Sequence, residues 1–131
     1  MSITIGQSFS CSVTVSAQNT ARTVGSGNLD VFATPMMIAL MEQAAAGCIA
    51  PQLDAGQTSV GVHIDVQHSA ATPVGMAVQA TATVTAVAGR QVTFAVTAGD
   101  DAGEIGSGRH TRAIVDAGRF LAKTQQKLGG K

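Results

Sequence analysis

The segment from Thr34 to Ala50, TPMMIALMEQAAAGCIA, is apolar on every side of a predicted helix except at Glu42 and Gln43. Its apolar residues recur at the helical intervals of three and four, and they leave no broad polar face. The pattern ends near residues 47–51, where glycine and proline favour termination. Because such a helix must be covered on most sides, the rest of the chain is expected to pack around it.

Five further segments alternate apolar and polar residues with a period of two, which predicts strands with one buried face. They are Phe9–Ser16, Thr58–His68, Met76–Val87, Gln91–Ala98 and Glu104–Asp116. Gly106 and Gly108 weaken the last pattern and predict a bulge or a close backbone contact there. Strand, long helix and four strands joined mostly by short turns predict an α+β fold, with one antiparallel sheet wrapped around a long central helix.

The remaining segments complete a single predicted domain, residues 1–131. Residues 17–30 are polar and aperiodic, which predicts a loop or flap. The residues from Asp116 onward predict a short helix that frays into a polar tail from about residue 124. One sheet leaves the far side of the long helix uncovered, and a second copy of the chain is the most economical cover. We therefore expect a homodimer.

Composition excludes several classes of function. Aromatic residues make up 3% of the chain and the formal net charge is zero, so neither base stacking nor a positive field favours a nucleic-acid partner. The apolar helix is too short to span a membrane, and no secretion signal is visible. The two cysteines, Cys11 and Cys48, lie in apolar surroundings and are expected to be reduced, which favours a cytoplasmic setting.

Positive charge is concentrated at the C-terminal end. Six basic residues follow residue 108, against the single carboxylate of Asp116. This excess could meet ligand phosphates, although a solvated helix face is the interpretation we favour. The basic residues are Arg109, Arg112, Arg119, Lys123, Lys127 and Lys131.

Glu42 is the first candidate for chemistry. An ionised carboxylate on a buried helix loses several kcal/mol of hydration unless it is paired or hydrogen-bonded. Ile38 and Ala45, about one turn away on either side, are apolar, so we expect Glu42 to be enclosed by apolar side chains. A carboxylate held in that setting suggests a functional role.

Thr34 and the histidines are the other candidates. Thr34 precedes Pro35 and is predicted to be the N-cap of the helix, although its hydroxyl at a helix N-terminus could also assist an oxyanion. His68 has the parity of Val60, Val62, Ile64 and Val66, which places it on the inward face, whereas His63 has the opposite parity. His110 is predicted to be exposed. No metal or dinucleotide motif occurs at the required spacing, so neither a metal nor a cofactor is expected.

Three ordered stretches, ATPMMIALMEQAA, GQTSVGVHIDVQHSAATPVG and GSGRHTRAIVD, resemble the hotdog-fold thioesterases. The resemblance is to the fluoroacetyl-CoA thioesterase-like family, and it extends from about Val31 to Phe120. It implies a homodimeric hotdog fold and a catalytic set of Thr34, Glu42 and His68. It also implies that the backbone N–H of Gly61 donates to the oxyanion, and that CoA enters only as part of the substrate.

The implied reaction is hydrolysis of an acyl-CoA thioester, with Glu42 either as the nucleophile or as the base that activates water. Eight residues separate Thr34 from Glu42 on one helix, which corresponds to about 12 Å, so the two side chains cannot touch. His68, water, the thioester or the partner chain must bridge them. We therefore expect the site at the dimer interface and an inactive monomer.

Substrate specificity is less constrained. Phe32 is the only aromatic candidate for the acyl pocket, because residues 24–30 contain none, so fluoroacetyl specificity does not follow from the resemblance. A short acyl group is expected from the crowding of Met36, Met37 and Met41. The arginines at positions 90, 109, 112 and 119 could contact CoA phosphates.

Two alternatives remain open. A hotdog-fold enoyl-CoA hydratase would use an Asp and a His close together, which Asp65 and His68 could mimic, although their parity places them on opposite faces. The second alternative is a non-catalytic acyl-CoA binding protein.

Overall fold

The computed structural model describes residues 2–129. Lys131, which belongs to the C-terminal group of basic residues, lies outside this range. The elements are β1 (Ser8–Thr14), α1 (Ala21–Val24), α2 (Thr34–Ile49), β2 (Gln57–His68), β3 (Ala77–Ala88), β4 (Gln91–Asp100), β5 (Gly103–Asp116) and α3 (Ala117–Gly129). A 3-10 turn over Ala50–Gln52 follows α2.

The five strands form one antiparallel sheet in the order β1-β3-β4-β5-β2. The predicted antiparallel sheet with helices is thus confirmed. The expected short turns are present between β3 and β4 and between β4 and β5, where Gly89 and Gly103, the first residue of β5, have positive φ. None of the helices between residues 2 and 129 has the combined length and apolar character needed to cross a bilayer.

The core lies between α2 and the inner face of the sheet. Alternate residues of β3 and β4 are fully buried, as the period of two predicted, and they pack with one side of α2. These residues are Val78, Ala80, Ala82 and Val84 of β3, Val92, Phe94, Val96 and Ala98 of β4, and Met37, Leu40, Met41, Ala44, Ala45, Cys48 and Ile49 of α2. Ala39 and Gln43 of α2 remain exposed, so within one chain the sheet covers only part of the helix.

The predicted loop and the predicted polar tail both differ from the structure. Residues 17–30 include the short helix α1, whose N-cap Thr20 accepts a hydrogen bond from the Thr23 backbone. The polar tail does not fray at residue 124, because α3 continues to Gly129. All described residues of α3 are exposed, so this helix projects from the sheet.

Strand β2 forms one edge of the sheet, and a bulge interrupts it. Gly61 is paired with Arg112 and His63 with Thr111, which leaves Val62 as the extra residue. The extra residue shifts the alternation, so Gly61 shares the inner face with Ile64, which is paired with His110. The prediction that Val60 and Val62 continue the inward face of Ile64 is therefore wrong.

Gly106 and Gly108 allow the close contacts that the sequence predicted. A Cβ atom at Gly106 would lie 2.6 Å from Met37 Sδ and 2.7 Å from the Gln67 carbonyl oxygen. At Gly108 a Cβ atom would lie 2.6 Å from Val66 Cα. Ile105 is skipped in the pairing of β4 with β5, so the bulge of this strand lies one residue before Gly106. Both glycines thus allow β5 to pass close to β2 and α2.

Candidate active site

Thr34 and His68 form a hydrogen-bonded pair at the N-terminus of α2. The distance from Thr34 Oγ1 to His68 Nδ1 is 2.7 Å. Ala33, not Thr34, is the N-cap of α2, and no side chain caps this end. The predicted capping role of Thr34 is therefore wrong, because its hydroxyl is directed to the imidazole that ends β2.

The other ring nitrogen of His68, Nε2, is buried and has no hydrogen-bond partner among residues 2–129. Thr34 is thus the polar group that orients this ring. The pair borders a cleft of about 280 Å³ that is also lined by Phe32, Ser26 and Ser69. Phe32 is fully buried and is anchored by its backbone N–H, which donates to the Thr72 carbonyl oxygen at 2.9 Å.

Glu42 lies at a second cleft, of about 270 Å³, which Gly61, Val62, Ile64 and His110 also line. Its side chain is 42% exposed, and Arg112 Nη1 donates to Oε2 at 3.3 Å. The prediction that apolar side chains enclose Glu42 is therefore wrong. A guanidinium partner, not an apolar pocket, is what makes the carboxylate acceptable at this position.

Arg112 is itself held by the neighbouring strand. Its Nε donates to Ser59 Oγ at 2.8 Å and its Nη2 to the Ser59 carbonyl oxygen at 2.9 Å. Nη1 lies 3.2 Å from His110 Nε2 as well as close to Glu42. Arg112 is 8% exposed, and all three nitrogens of its guanidinium are engaged. Arg112 is therefore a fixed support for Glu42, with four of its five N–H donors engaged.

His110 is 1% exposed, so the prediction of an exposed residue is wrong. Its Nδ1 lies 2.7 Å from the His63 carbonyl oxygen, which can only accept, so Nδ1 carries the proton. In the neutral ring Nε2 is then the acceptor for Arg112. The sequence contains a signal for this burial. His110 and Arg112 are separated from the apolar Ile114 by even numbers of positions, which predicts that all three lie on the inner face of the strand.

Gly61 lies directly against the carboxylate of Glu42. A Cβ atom at this position would be 2.5 Å from Glu42 Oε2 and 3.1 Å from His110 Cε1. Glycine at position 61 therefore lets the carboxylate of Glu42 approach this backbone.

Within one chain, the residues implied by the resemblance separate into two groups. Thr34, His68 and Phe32 border one cleft, whereas Glu42, Gly61 and Arg112 meet at the other. No hydrogen bond connects Glu42 with Thr34 or His68 among the residues that the structure describes. Asp65 is paired with Arg109 and borders a different cleft from His68, so these two residues form no dyad.

Burial lowers the pKa of His110, and the positive charge of Arg112 adds to this, while the hydrogen bond to His63 and the carboxylate of Glu42 oppose it. The folded protein therefore keeps this ring neutral at a pH where the unfolded chain already binds a proton. Below about pH 6.5, the ordinary value for histidine, the unfolded state gains protons that the folded state does not. The contribution of His110 to stability is thus complete above that pH and declines as the pH falls towards the lowered folded value.

We expect His110→Asn to reduce the loss in free energy of unfolding between pH 7.5 and pH 5.5. Urea unfolding at both pH values and at one fixed protein concentration measures this loss. His63→Asn is the matched control, because that side chain is exposed and its carbonyl oxygen is kept. An equal loss in His110→Asn and in the unchanged protein would contradict the neutral assignment.

Comparison with known proteins gives one consistent result. Residues 15–118 match the family described as "FlK: Fluoroacetyl-CoA-specific thioesterase". A curated relative, "Fluoroacetyl-CoA thioesterase" of Streptantibioticus cattleyicolor, is 46% identical over 98 residues, which is 75% of this chain and 70% of the relative.

Solved structures agree with this result. The structure of fluoroacetyl-CoA thioesterase FlK is 38% identical, with a TM-score of 0.92 that covers 97% of this chain and 98% of the other. A variant of FlK in complex with fluoroacetate and CoA has a TM-score of 0.86 at 37% identity, covering 90% and 99% of the two chains. The chain therefore belongs to the fluoroacetyl-CoA-specific thioesterase family of hotdog-fold proteins.

Proposed function

We propose that this protein hydrolyses an acyl-CoA thioester to the free acid and CoA, at a site built from Thr34, His68 and Glu42. The observation that carries the proposal is that the family's three catalytic positions hold a hydroxyl–imidazole pair, 2.7 Å apart, and a carboxylate with a fixed guanidinium partner. The names of the relatives support the same reaction class.

The chemistry follows from the charges. Arg112 donates a hydrogen bond to Oε2 of Glu42 and fixes it, which leaves Oε1 for the reaction. Glu42 either attacks the thioester carbonyl, so that water later cleaves an anhydride, or it removes a proton from the attacking water. In both routes the C–S bond breaks and the thiolate of CoA receives a proton. The Gly61 N–H stabilises the oxyanion, and the Thr34–His68 pair supplies the proton.

A homodimer would bring the two groups of residues together. Strand β2 is a sheet edge, and on it Val62 and Ile64 are 51% and 39% exposed, which is unusual for large apolar residues at an unpaired edge. Antiparallel pairing of two copies of β2 about Ile64 and Asp65 would place Gly61 opposite the partner's His68. Paired strands lie about 5 Å apart, so Glu42 would then face the Thr34–His68 pair of the other copy. A monomer would be inactive.

The size of the cleft beside Thr34 supports a short acyl group. The cleft beside Thr34 and His68, about 280 Å³, is slightly smaller than the ligand pockets typical of proteins. Met37 and Met41 do not supply the crowding expected from the sequence, because both are buried in the core.

The two cysteines support a reducing compartment. Cys11 and Cys48 are both unpaired, which fits a cytoplasmic setting.

Thiol release from a series of acyl-CoA esters tests the function. We expect turnover with short acyl chains and a loss of at least about a hundredfold in His68→Ala, because a proton-transfer group is removed. Thr34→Ala should lower kcat without lowering the melting temperature, since this side chain caps no helix. Gln43→Ala, which changes an exposed residue of α2 that lines neither cleft, is the control.

The alternative activities give different results in the same assay. A hydratase would consume crotonyl-CoA, seen as a fall in ultraviolet absorbance, without releasing thiol. A binding protein would be stabilised by acyl-CoA while no thiol appears. Either result would contradict the proposed hydrolysis.

A further inference from the structure

A third cleft, of about 410 Å³, lies between the β3–β4 turn and α3 and belongs to neither group of catalytic residues. Arg90, Arg119 and Lys123 line it, together with Phe120 and Ile114. Phe120 is 43% exposed despite its size. Three cations around an exposed aromatic ring form a surface suited to an anionic ligand with a planar ring.

The positive charge in this cleft is not neutralised by ion pairs. Between residues 2 and 129, the ion pairs are those of Arg22 with Asp30 and of Arg112 with Glu42. Asp116, the carboxylate that lines the cleft, accepts a hydrogen bond from the Arg119 backbone N–H at 2.9 Å.

The turn holds one of the cations in place. Arg90 Nη1 donates to the Ile114 carbonyl oxygen at 3.3 Å, and the Ile114 N–H donates to the Arg90 carbonyl oxygen at 2.8 Å. The position of Arg90 at the cleft is therefore set by β5.

The cleft also lies on the side of the molecule where Glu42 is found. Ile114 is two residues from Arg112 on β5, so their Cα atoms are separated by about 7 Å and both side chains lie on one face of the sheet. A long substrate whose carbonyl carbon lies beside Glu42 could extend its other end to this cleft.

We propose that the cleft binds the phosphorylated adenosine end of the CoA substrate, with Arg90, Arg119 and Lys123 at the phosphates and Phe120 against the adenine ring. The proposal rests on the proposed function for its choice of ligand. It assigns phosphate recognition to side chains outside the catalytic groups, while Arg112 supports Glu42.

Arg119→Ala tests the proposal, with Lys127→Ala as the matched control. Both changes remove one positive charge from α3, but Lys127 does not line the cleft. With an acyl-CoA we expect Arg119→Ala to raise KM about tenfold with kcat nearly unchanged, because a phosphate contact is lost. With the matching acyl-pantetheine, which lacks the nucleotide, KM should be the same in both variants and in the unchanged protein.

Calorimetric titration with adenosine 3′,5′-bisphosphate provides a readout that does not depend on turnover. We expect binding by the unchanged protein and by Lys127→Ala, and binding about tenfold weaker in Arg119→Ala. The affinity should also fall as salt is raised. Equal affinity in the two variants, or no binding by the unchanged protein, would overturn the proposal even if thiol release is observed. Absence of thiol release with every thioester would contradict the proposed function, while this titration would still decide the role of the cleft.

Discussion

Glu42→Gln is expected to lower kcat for thioester hydrolysis by at least about a hundredfold, with little change in KM, because an amide can neither attack a carbonyl carbon nor accept a proton from water. The amide oxygen can still accept from Arg112, so the support of the side chain is kept and the fold should be unaffected. Steady-state thiol release with a short acyl-CoA measures the effect.

Two further variants distinguish the effect of the charge of Glu42 from the effect of its position. Gly61→Ala keeps the carboxylate but places a methyl group 2.5 Å from Oε2, so Glu42 must move and kcat should fall at unchanged charge. Gln43→Ala changes the exposed neighbour on the same helix and should leave kcat unaltered. If Glu42→Gln retained more than about a tenth of the turnover, the carboxylate would not be the reacting group.

Mixing two inactive variants, Glu42→Gln and His68→Ala, is expected to restore about a quarter of full activity if each site takes Glu42 from one copy and His68 from the other. Half of the dimers formed from an equal mixture contain both variants. In each of these, one site combines an intact Glu42 with an intact His68, and the other has neither. The gain over either variant alone should exceed tenfold. The chains are unfolded and refolded together, and thiol release is then measured.

The control replaces His68→Ala by the double variant Glu42→Gln, His68→Ala, which supplies no intact Glu42. That mixture should stay inactive. Native mass spectrometry of chains with different tags shows whether mixed dimers have formed. Mixed dimers without regained activity would place both groups of one site on a single chain, and a monomeric protein with full activity would exclude the shared site altogether.

Local patterns predicted most of the fold. The period of two along β3 and β4 predicted one buried face on each strand. The apolar residues around α2 predicted a buried helix. The structure places these residues in the core. The end of β2 at His68 was also predicted correctly. The resemblance supplied Thr34, Glu42 and His68 as a set, but not their arrangement within one chain.

Long-range contacts could not be predicted in the same way. Glu42 and Arg112 are 70 residues apart, and only the order of the strands brings β5 beneath α2. Thr34 matched the pattern of an N-cap, but a hydrogen bond to His68 replaced that role because β2 ends beside the start of α2. His110 was placed on the surface because the glycines of β5 obscured its alternation.

The bulge at Val62 also limits how this gene can vary. Gly61 and His68 are an odd number of positions apart, yet they share one face because one residue is looped out between them. A regular strand of the same length, without the looped-out residue, would turn either the glycine or the histidine to the opposite side of the ribbon, even if every side chain were kept. The spacing of seven and the bulge therefore depend on each other, and a change that straightens this ribbon without shortening it should abolish turnover although the protein still folds.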